Sequence, residues 1–413
     1  MSVRNTPPCS PSPGPDAPPR VPVKFSFRTT PEIHFGAGSL AEAPAAVARL
    51  GRRCLLVSGR FSLERSGKLA QIEDGLRAQG VALSRYRVDG EPDLVVADEG
   101  ARVAREGGCD VVLAIGGGSV IDAAKAAAAL ATNEGAAIDY VEAVGAGKSI
   151  TRAPLPLVAV PTTAGSGSEV TKNSVLRVPE LRVKRSIRSD LMVPRVAIVD
   201  PALIATAPRS VAASSGLDAL THLVEAYLSK GAQPMTDVLV VPGITLAYRA
   251  LGALAEDRAT DESHEAMALA ALWGGIALAN AGLGAVHGLV APLGGFCGVP
   301  HGAGCGCLLP ATFATNVAAL RARAPAHPAL ARAHEVADLL LPRDAPDRSP
   351  ERAADAFRAL RDKLGVPPLR GYGVGEADLA SIIAGSRAGS MRSNPIELTD
   401  DELEGILRRT LDG

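Results

Sequence analysis

Short β-rich apolar runs alternate with helix-period stretches over the first half of the chain. VKFSF (23–27), CLLVS (54–58), VVLAI (111–115), LVAV (157–160) and VAIV (196–199) read as strands, and 40–50, 64–80, 93–106 and 120–131 as helices. Strands that are apolar throughout, separated by helices, predict an α/β unit with a mainly parallel sheet. After Asp200-Pro201 the pattern changes to alanine- and leucine-rich helical segments: 210–229, 236–253, 262–280, 284–291, 311–323, 328–341, 351–364 and 376–386. They predict an all-helical second domain. The expected division is 1–20 as a tail, 21–200 as the α/β domain and 201–413 as the helical domain; two domains suit a chain of 413 residues.

The first 20 residues hold seven prolines and no apolar stretch. They read as a disordered or extended tail without a signal-peptide core. No apolar run is read as long enough and free enough of polar residues to span a bilayer. A formal net charge of −1 supplies no attraction to nucleic acid or an anionic membrane, so neither is expected as a partner. Six scattered cysteines without a C-x-x-C pair speak against a disulfide scaffold or cysteine-rich zinc site and fit a reducing, cytoplasmic setting. Cys305 and Cys307, close to His301, read as small buried apolar residues.

Two loops in the α/β half suit a nucleotide. VVLAIGGGSVIDAAKAAAAL runs strand, Gly116-Gly117-Gly118-Ser119, helix. Glycines at such a turn let backbone N–H groups approach a pyrophosphate at the positive helix end. Asp122 reads as a first-turn carboxylate. The second loop, LVAVPTTAGSGSEVTKNSVL, places Thr162, Thr163, Ser166, Ser168 and Thr171 beyond a strand end, where open α/β sheets bind ligands. No G-x-G-x-x-G is present. In the helical half, Asp218 and His222 stand four apart in GLDALTHLVEAY and share a helix face. His287 and His301, fourteen residues apart, lie in glycine-rich apolar segments. One carboxylate and three imidazoles suit a divalent metal. His34, His264, His327 and His334 read as ordinary surface or helical residues.

Taken together, the chain resembles the iron-containing (group III) alcohol dehydrogenases, which share their fold with glycerol dehydrogenases and, more distantly, dehydroquinate synthases. The resemblance covers about residues 30–410. It rests on IHFGAGSL (33–40), IGGGSVIDAAKA (115–126), VPTTAGSGSEVT (160–171), IVDPALIATAPRSVAASSGLDALTHLVEAY (198–227), GLGAVHGLVAPLGGFCGVPHG (282–302) and NPIELTDDEL (394–403). It implies a Rossmann-like parallel-sheet nucleotide domain, an all-helical metal domain and an active site between them. By position it implies Asp218, His222, His287 and His301 as metal ligands. Gly117, Gly118 and Ser119 match the pyrophosphate turn, with Asp122 close by. Thr162, Thr163 and Ser166 match cofactor-loop positions, and Thr171 belongs to the same loop. Lys184 matches a lysine near the ribose and nicotinamide end. A homodimer or larger homo-oligomer is expected.

Three departures are visible. Many members carry a proton-relay histidine four residues after the position of His287; Ala291 stands here, so no general acid is assigned. Where many NAD-preferring members have an aspartate for the adenosine ribose, this chain has Gly59 followed by Arg60, which removes repulsion of a 2′-phosphate. Glu91 replaces an asparagine common in the next loop. The expected reaction is hydride transfer between a small alcohol and its carbonyl compound, with NAD or NADP and with Fe²⁺ or Zn²⁺. The alternatives are a metal-free reductase of the maleylacetate type, whose members typically have Asn at the position of Asp218, and a lyase of the dehydroquinate synthase kind.

Overall fold

The computed structural model describes residues 24–59, 64 and 67–413. The proline-rich tail and Arg60 lie outside these residues. The strands are β1 (Glu32–Phe35), β2 (Arg53–Gly59), β3 (Ala82–Val88), β4 (Val111–Gly116), β5 (Leu157–Pro161), β6 (Asn173–Val178), β7 (Val183–Arg188) and β8 (Val196–Val199). Six form one sheet in the order β1-β8-β5-β4-β2-β3, and every neighbouring pair is parallel. β6 and β7 form a separate antiparallel pair.

The central strands are buried on both faces, which explains their unbroken apolar sequence. Cys54, Leu56, Leu113 and Ile115 point to one face, against Val47 of α1 (Ala43–Leu50) and Ile72 of α2 (Lys68–Ala78). Leu55, Val57, Val112 and Ala114 point to the other, against Ala104 of α3 (Leu94–Glu106) and Ile121 of α4 (Gly118–Thr132). The chain thus leaves β2 toward one face and leaves its neighbour β4 toward the other. That reversal opens a crevice at the carboxyl ends of β2 and β4. Gly59 and Gly116 lie there, just past the paired residues Ser58 and Ile115.

Four strands depart from the sequence reading. Residues 24–27 are irregular, and the edge strand β1 begins at Glu32 instead. β3, β6 and β7 went unread because ALSRYRV, NSVLRV and VKRSIR carry many polar residues, as partly exposed strands do.

Among the described residues no strand follows Val199. The long helices are α5 (Arg209–Leu228), α6 (Pro234–Ala255), α7 (Asp261–Ala281), α8 (Ala285–Phe296), α9 (His301–Arg323), α10 (Pro328–Leu340), α11 (Pro350–Lys363), α12 (Leu379–Ser386) and α13 (Asp400–Asp412). α9 begins ten residues before the expected start at 311, because its glycines serve close packing. A Cβ on Gly302 would fall 2.1 Å from the Ser214 carbonyl oxygen, and one on Gly306 would fall 2.6 Å from Leu217. Those glycines let α9 approach α5 where two bulkier helices would be held apart. α13 was not read as a helix, although its cap is plain: Thr399 Oγ1 accepts from Glu402 N at 3.2 Å and Glu402 Oε2 accepts from Thr399 N at 2.8 Å.

The reading of no membrane-length apolar segment is also corrected. α6 and α9 are long and apolar enough by length and composition, with mean hydropathy of 1.7 and 1.4 over their best windows. For α9, 89% of that window is buried inside the fold, so its apolarity serves the protein core. α6 is less covered and leaves Val238 68% exposed.

Candidate metal centre

Asp218 and His222 lie on α5, His287 on the first turn of α8 and His301 at the first position of α9. Their polar atoms meet around one carboxylate oxygen. Asp218 Oδ1 is 3.3 Å from His287 Nε2 and 3.5 Å from both His222 Nε2 and His301 Nε2. The rings of His222 and His287 stack at 4.7 Å between centroids. Asp218 and His222 are buried, and His301 is the open edge, its side chain 40% exposed.

Three nitrogens converging on one buried carboxylate oxygen is a costly arrangement unless positive charge joins it. Burial by itself raises the Asp218 carboxyl, but His222, His301 and His287 outweigh it and hold the group far below the usual carboxylate range. Burial lowers His222 to about 4, against the attraction of Asp218, and lowers His301 as well. Both are therefore neutral near pH 7, with lone pairs free to bind a cation. Burial also works against a charged His287, yet Cys305, Asp218 and Glu225 hold it well above the ordinary histidine value. In the absence of a cation a proton takes that charge; metal binding would release it. The donor set, hard oxygen plus imidazole nitrogen, fits Fe²⁺ or Zn²⁺.

Two further residues of the centre escaped sequence reasoning. Glu225 is buried on α5, seven residues after Asp218 and hence on the same face. Its Oε2 lies 2.7 Å from His287 Nδ1, and its Oε1 accepts from Val286 N at 2.7 Å. It holds both the ring and the amino end of α8. The i, i+7 spacing was the available signal. Cys305, read as a plain apolar residue, stands one turn after His301 on α9 with Sγ 3.4 Å from Asp218 Oδ1. Burial pushes its thiol up to about 12. Cys307 fits the apolar reading better: it is buried, with Sγ 3.2 Å from the Pro367 carbonyl.

The two polar loops meet at the crevice. Ile115 pairs with Val160 and Gly116 with Pro161, so the turns after β4 and β5 start side by side. Gly117, Gly118, Ser119, Thr162, Thr163 and Ser166 are all half-buried there. A Cβ on Gly118 would fall 2.5 Å from Ser166 Oγ, so that approach requires glycine. The hydroxyl loop in turn rests on the helical half: Gly167, at φ +61°, and Gly275 of α7 are so close that a Cβ on Gly167 would lie 2.3 Å from Gly275 Cα. This contact ties the turn after β5 to α7, whose neighbouring Gly274 packs against His222.

Asp122 and Thr171 are placed differently from expectation. Asp122 is in the second turn of α4, where Ser168 Oγ donates to Oδ1 and Val175 N donates to Oδ2 at 3.0 Å. Its carboxylate is thus committed to holding the hydroxyl loop and β6. Thr171 is buried beneath the loop and accepts from Lys125 Nζ at 3.0 Å. Lys184, on β7, makes an ion pair of 2.7 Å with Glu91 and packs against Gly294 of α8. Both charges act on His301, so Lys184 sits close to the metal centre, and its ion-pair partner is Glu91, the residue that departs from the family pattern. Ala291 puts only a methyl group one turn beyond His287. His34 pairs with Glu32 and Glu42 at the surface, and His327 caps α10.

Glu169, buried under the same loop, yields a pH prediction. Burial raises it to about 7, more than the hydrogen bond of its own backbone and the charge of Lys125 offset. A carboxyl whose folded pKa exceeds its unfolded value favours the fold fully below about pH 4.5 and progressively less up to about pH 7. Over that window roughly 3 kcal/mol is lost. Glu169→Gln should flatten the fall in melting temperature between pH 5 and 8 and raise it at pH 8. A parallel shift at every pH in thermal melts would exclude this cause.

Comparison with known proteins identifies the family. A family model described as "Iron-containing alcohol dehydrogenase" matches residues 30–201, and the "Fe-containing alcohol dehydrogenase family, C-terminal" model matches 212–411. The chain is 34% identical over 385 residues to a 1,3-propanediol dehydrogenase of Klebsiella pneumoniae, covering 89% of this chain and 95% of the relative. It is 34% identical over 353 residues to a lactaldehyde reductase of Escherichia coli, covering 84% and 89%. The crystal structure of a sulfoacetaldehyde reductase from Bifidobacterium kashiwanohense in complex with NAD⁺ superposes with a TM-score of 0.81, at 30% identity and with 94% and 99% of the two chains covered.

Proposed function

The chain belongs to the iron-containing alcohol dehydrogenase family, and from that premise we propose that it interconverts a small alcohol and its aldehyde or ketone using NAD or NADP. In this reading residues 21–200 hold the dinucleotide and 201–413 hold Fe²⁺, with Zn²⁺ the alternative, through Asp218, His222, His287 and His301. The observation that carries it is the convergence of three imidazole nitrogens on Asp218 Oδ1 within 3.3–3.5 Å. Residues able to cradle a pyrophosphate line the crevice beside it.

A cation bound there would act as a Lewis acid on the substrate oxygen, while the nicotinamide would carry the hydride. The chain's own contribution is position and charge. Asp218 stays ionised throughout the working pH range, and Glu225 holds His287 with its Nε2 toward Asp218. Gly117, Gly118 and Ser119 offer N–H donors and a hydroxyl at the start of α4 for a pyrophosphate. Thr162, Thr163 and Ser166 add hydroxyls from the neighbouring turn. Lys184 places its cation near the reacting end. The names of the relatives, propanediol dehydrogenase and lactaldehyde reductase, make small hydroxylated aldehydes and diols the first substrates to try. The expected setting is the cytoplasm, as a homodimer or larger assembly.

A panel of such alcohols and aldehydes, assayed with NAD(H) and NADP(H) after anaerobic loading with Fe²⁺ or Zn²⁺, tests the proposal. Turnover that needs the metal is expected. Equal turnover in the chelated protein would sink the metal-dependent reading and favour the maleylacetate type. Gly59 decides cofactor choice in the same assay. Among the described residues a Cβ there meets only Val120 Cγ2, at 3.7 Å, which leaves room for Gly59→Asp. The added carboxylate should bind a ribose diol and repel a 2′-phosphate, raising the NAD/NADP ratio of kcat/KM by about tenfold. An unchanged ratio would show that position 59 does not meet the ribose.

A further inference from the structure

We propose that the Lys184–Glu91 ion pair fixes the charge class of the substrate: Glu91 cancels the cation set beside His301, so the centre takes uncharged aldehydes and alcohols and turns away those carrying a carboxylate or sulfonate. The proposal rests on the dehydrogenase reading above and deepens it.

The pair is held from three sides. Lys184 is on β7, and its ammonium lies against α8: a Cβ on Gly294 would fall 2.7 Å from Nζ. Gly294 follows His287 by seven residues, so the ammonium meets the face of α8 that carries the proposed ligand. Ala291, between them on that face, adds only a methyl group. The turn before β7 is clamped to the same helix, since Arg182 Nη2 donates to the Phe296 carbonyl at 2.7 Å. Glu91 comes from the loop after β3. The Pro92 carbonyl accepts from Arg177 N of β6 at 2.9 Å, and Asp93 caps α3 by accepting from Val96 N at 3.0 Å. With the next two residues anchored in this way, Glu91 Oε1 reaches Lys184 Nζ at 2.7 Å.

Exposure decides what an incoming molecule meets. The Lys184 side chain is 9% exposed and that of Glu91 43%, so the cation is covered and the carboxylate faces solvent. His301, the open edge of the centre, feels both charges. Without Glu91 a nearly covered ammonium beside that edge would attract a carboxylate or sulfonate. With Glu91 in place the attraction is cancelled, and the exposed carboxylate repels anions. The asparagine common at this position in the family would leave the ammonium uncompensated.

The matched probes are 4-oxobutanoate and its methyl ester, which share the aldehyde and differ in charge. With the full-length, metal-loaded protein, wild type should reduce the ester with a kcat/KM at least about tenfold above that of the acid. Glu91→Gln keeps the length of the side chain and removes its charge. It should cut that ratio about tenfold, chiefly through a lower KM for the acid. Glu91→Asp keeps the charge and should retain the preference for the ester; its loss there too would mean that shape and not charge sets the choice. A ratio that Glu91→Gln leaves unchanged, or a wild type that prefers the acid, would overturn the proposal. Binding of butanoate, measured by calorimetry, needs no turnover, and Glu91→Gln should bind it about tenfold more tightly than wild type. If that difference appears while neither probe is reduced, the charge rule stands and the dehydrogenase reading falls. Equal affinities would overturn the rule and leave the dehydrogenase reading intact. If Glu91→Gln does not fold, the wild-type ratio and its decline with added salt decide the matter.

Discussion

Asp218→Asn should strip the protein of its metal while leaving its dinucleotide site intact. The substitution changes one buried oxygen into an amide nitrogen with almost no change of shape. It removes the negative charge around which His222, His287 and His301 converge. A neutral amide cannot offset a divalent cation in a buried site, and loss of supporting groups outside the ligand shell already costs metal sites about 10–100-fold in affinity. Loss of a direct anionic donor should cost more, with metal-dependent turnover down by more than about 100-fold. Binding of NAD(P)H, followed by fluorescence, should be nearly unchanged, because Gly117–Ser119 lie at the turn after β4 and not on α5, α8 or α9. Elemental analysis after dialysis gives the direct answer. Full metal occupancy with normal turnover would mean that Asp218 is no ligand.

Glu225→Gln should cost about 10–100-fold in metal affinity although the residue is not proposed to touch the cation. Glu225 Oε2 faces His287 Nδ1 at 2.7 Å, so Nδ1 carries a hydrogen, and once metal binding displaces the proton on Nε2 that nitrogen would offer its lone pair to the cation. A glutamine that still accepts from Val286 N presents its NH₂ to that ring. Two donors then face each other, and relief requires moving the ring hydrogen to Nε2, where it blocks the metal. The expected signature is weaker metal binding that recovers at saturating metal, with KM for the dinucleotide unmoved. If the affinity for metal, measured by competition with a chelator, stays at the wild-type value, the positioning role is wrong.

Legibility from sequence differed by element. Strands β2, β4, β5 and β8 were readable because burial on both faces demands continuous apolar runs, and CLLVS, VVLAI, LVAV and VAIV leave little choice. β3 and the β6–β7 pair were not, since partly exposed strands carry charges that resemble loops. The four proposed ligands were readable as residue types with a spacing, Asp218 and His222 by helical period and His287 and His301 by their glycine-rich setting. Asp122 was read with the wrong partner: its helix starts at Gly118, one turn too early for the carboxylate to face an anion, and Ser168 and Val175 take it instead.

The chain's linear pattern by itself determined a parallel α/β half ending near Asp200, a helical half after it, and a glycine turn suited to phosphate, because these depend on periodicity and local backbone freedom. Tertiary structure alone decided that three helices bring Asp218, His222, His287 and His301 to one point, that Glu225 steadies His287, and that Cys305 stands beside Asp218. Those are contacts between residues tens of positions apart. They depend on how closely α5, α8 and α9 pack, and that closeness is set by glycines such as Gly302 and Gly306, whose purpose appears only when the opposing helix is in place.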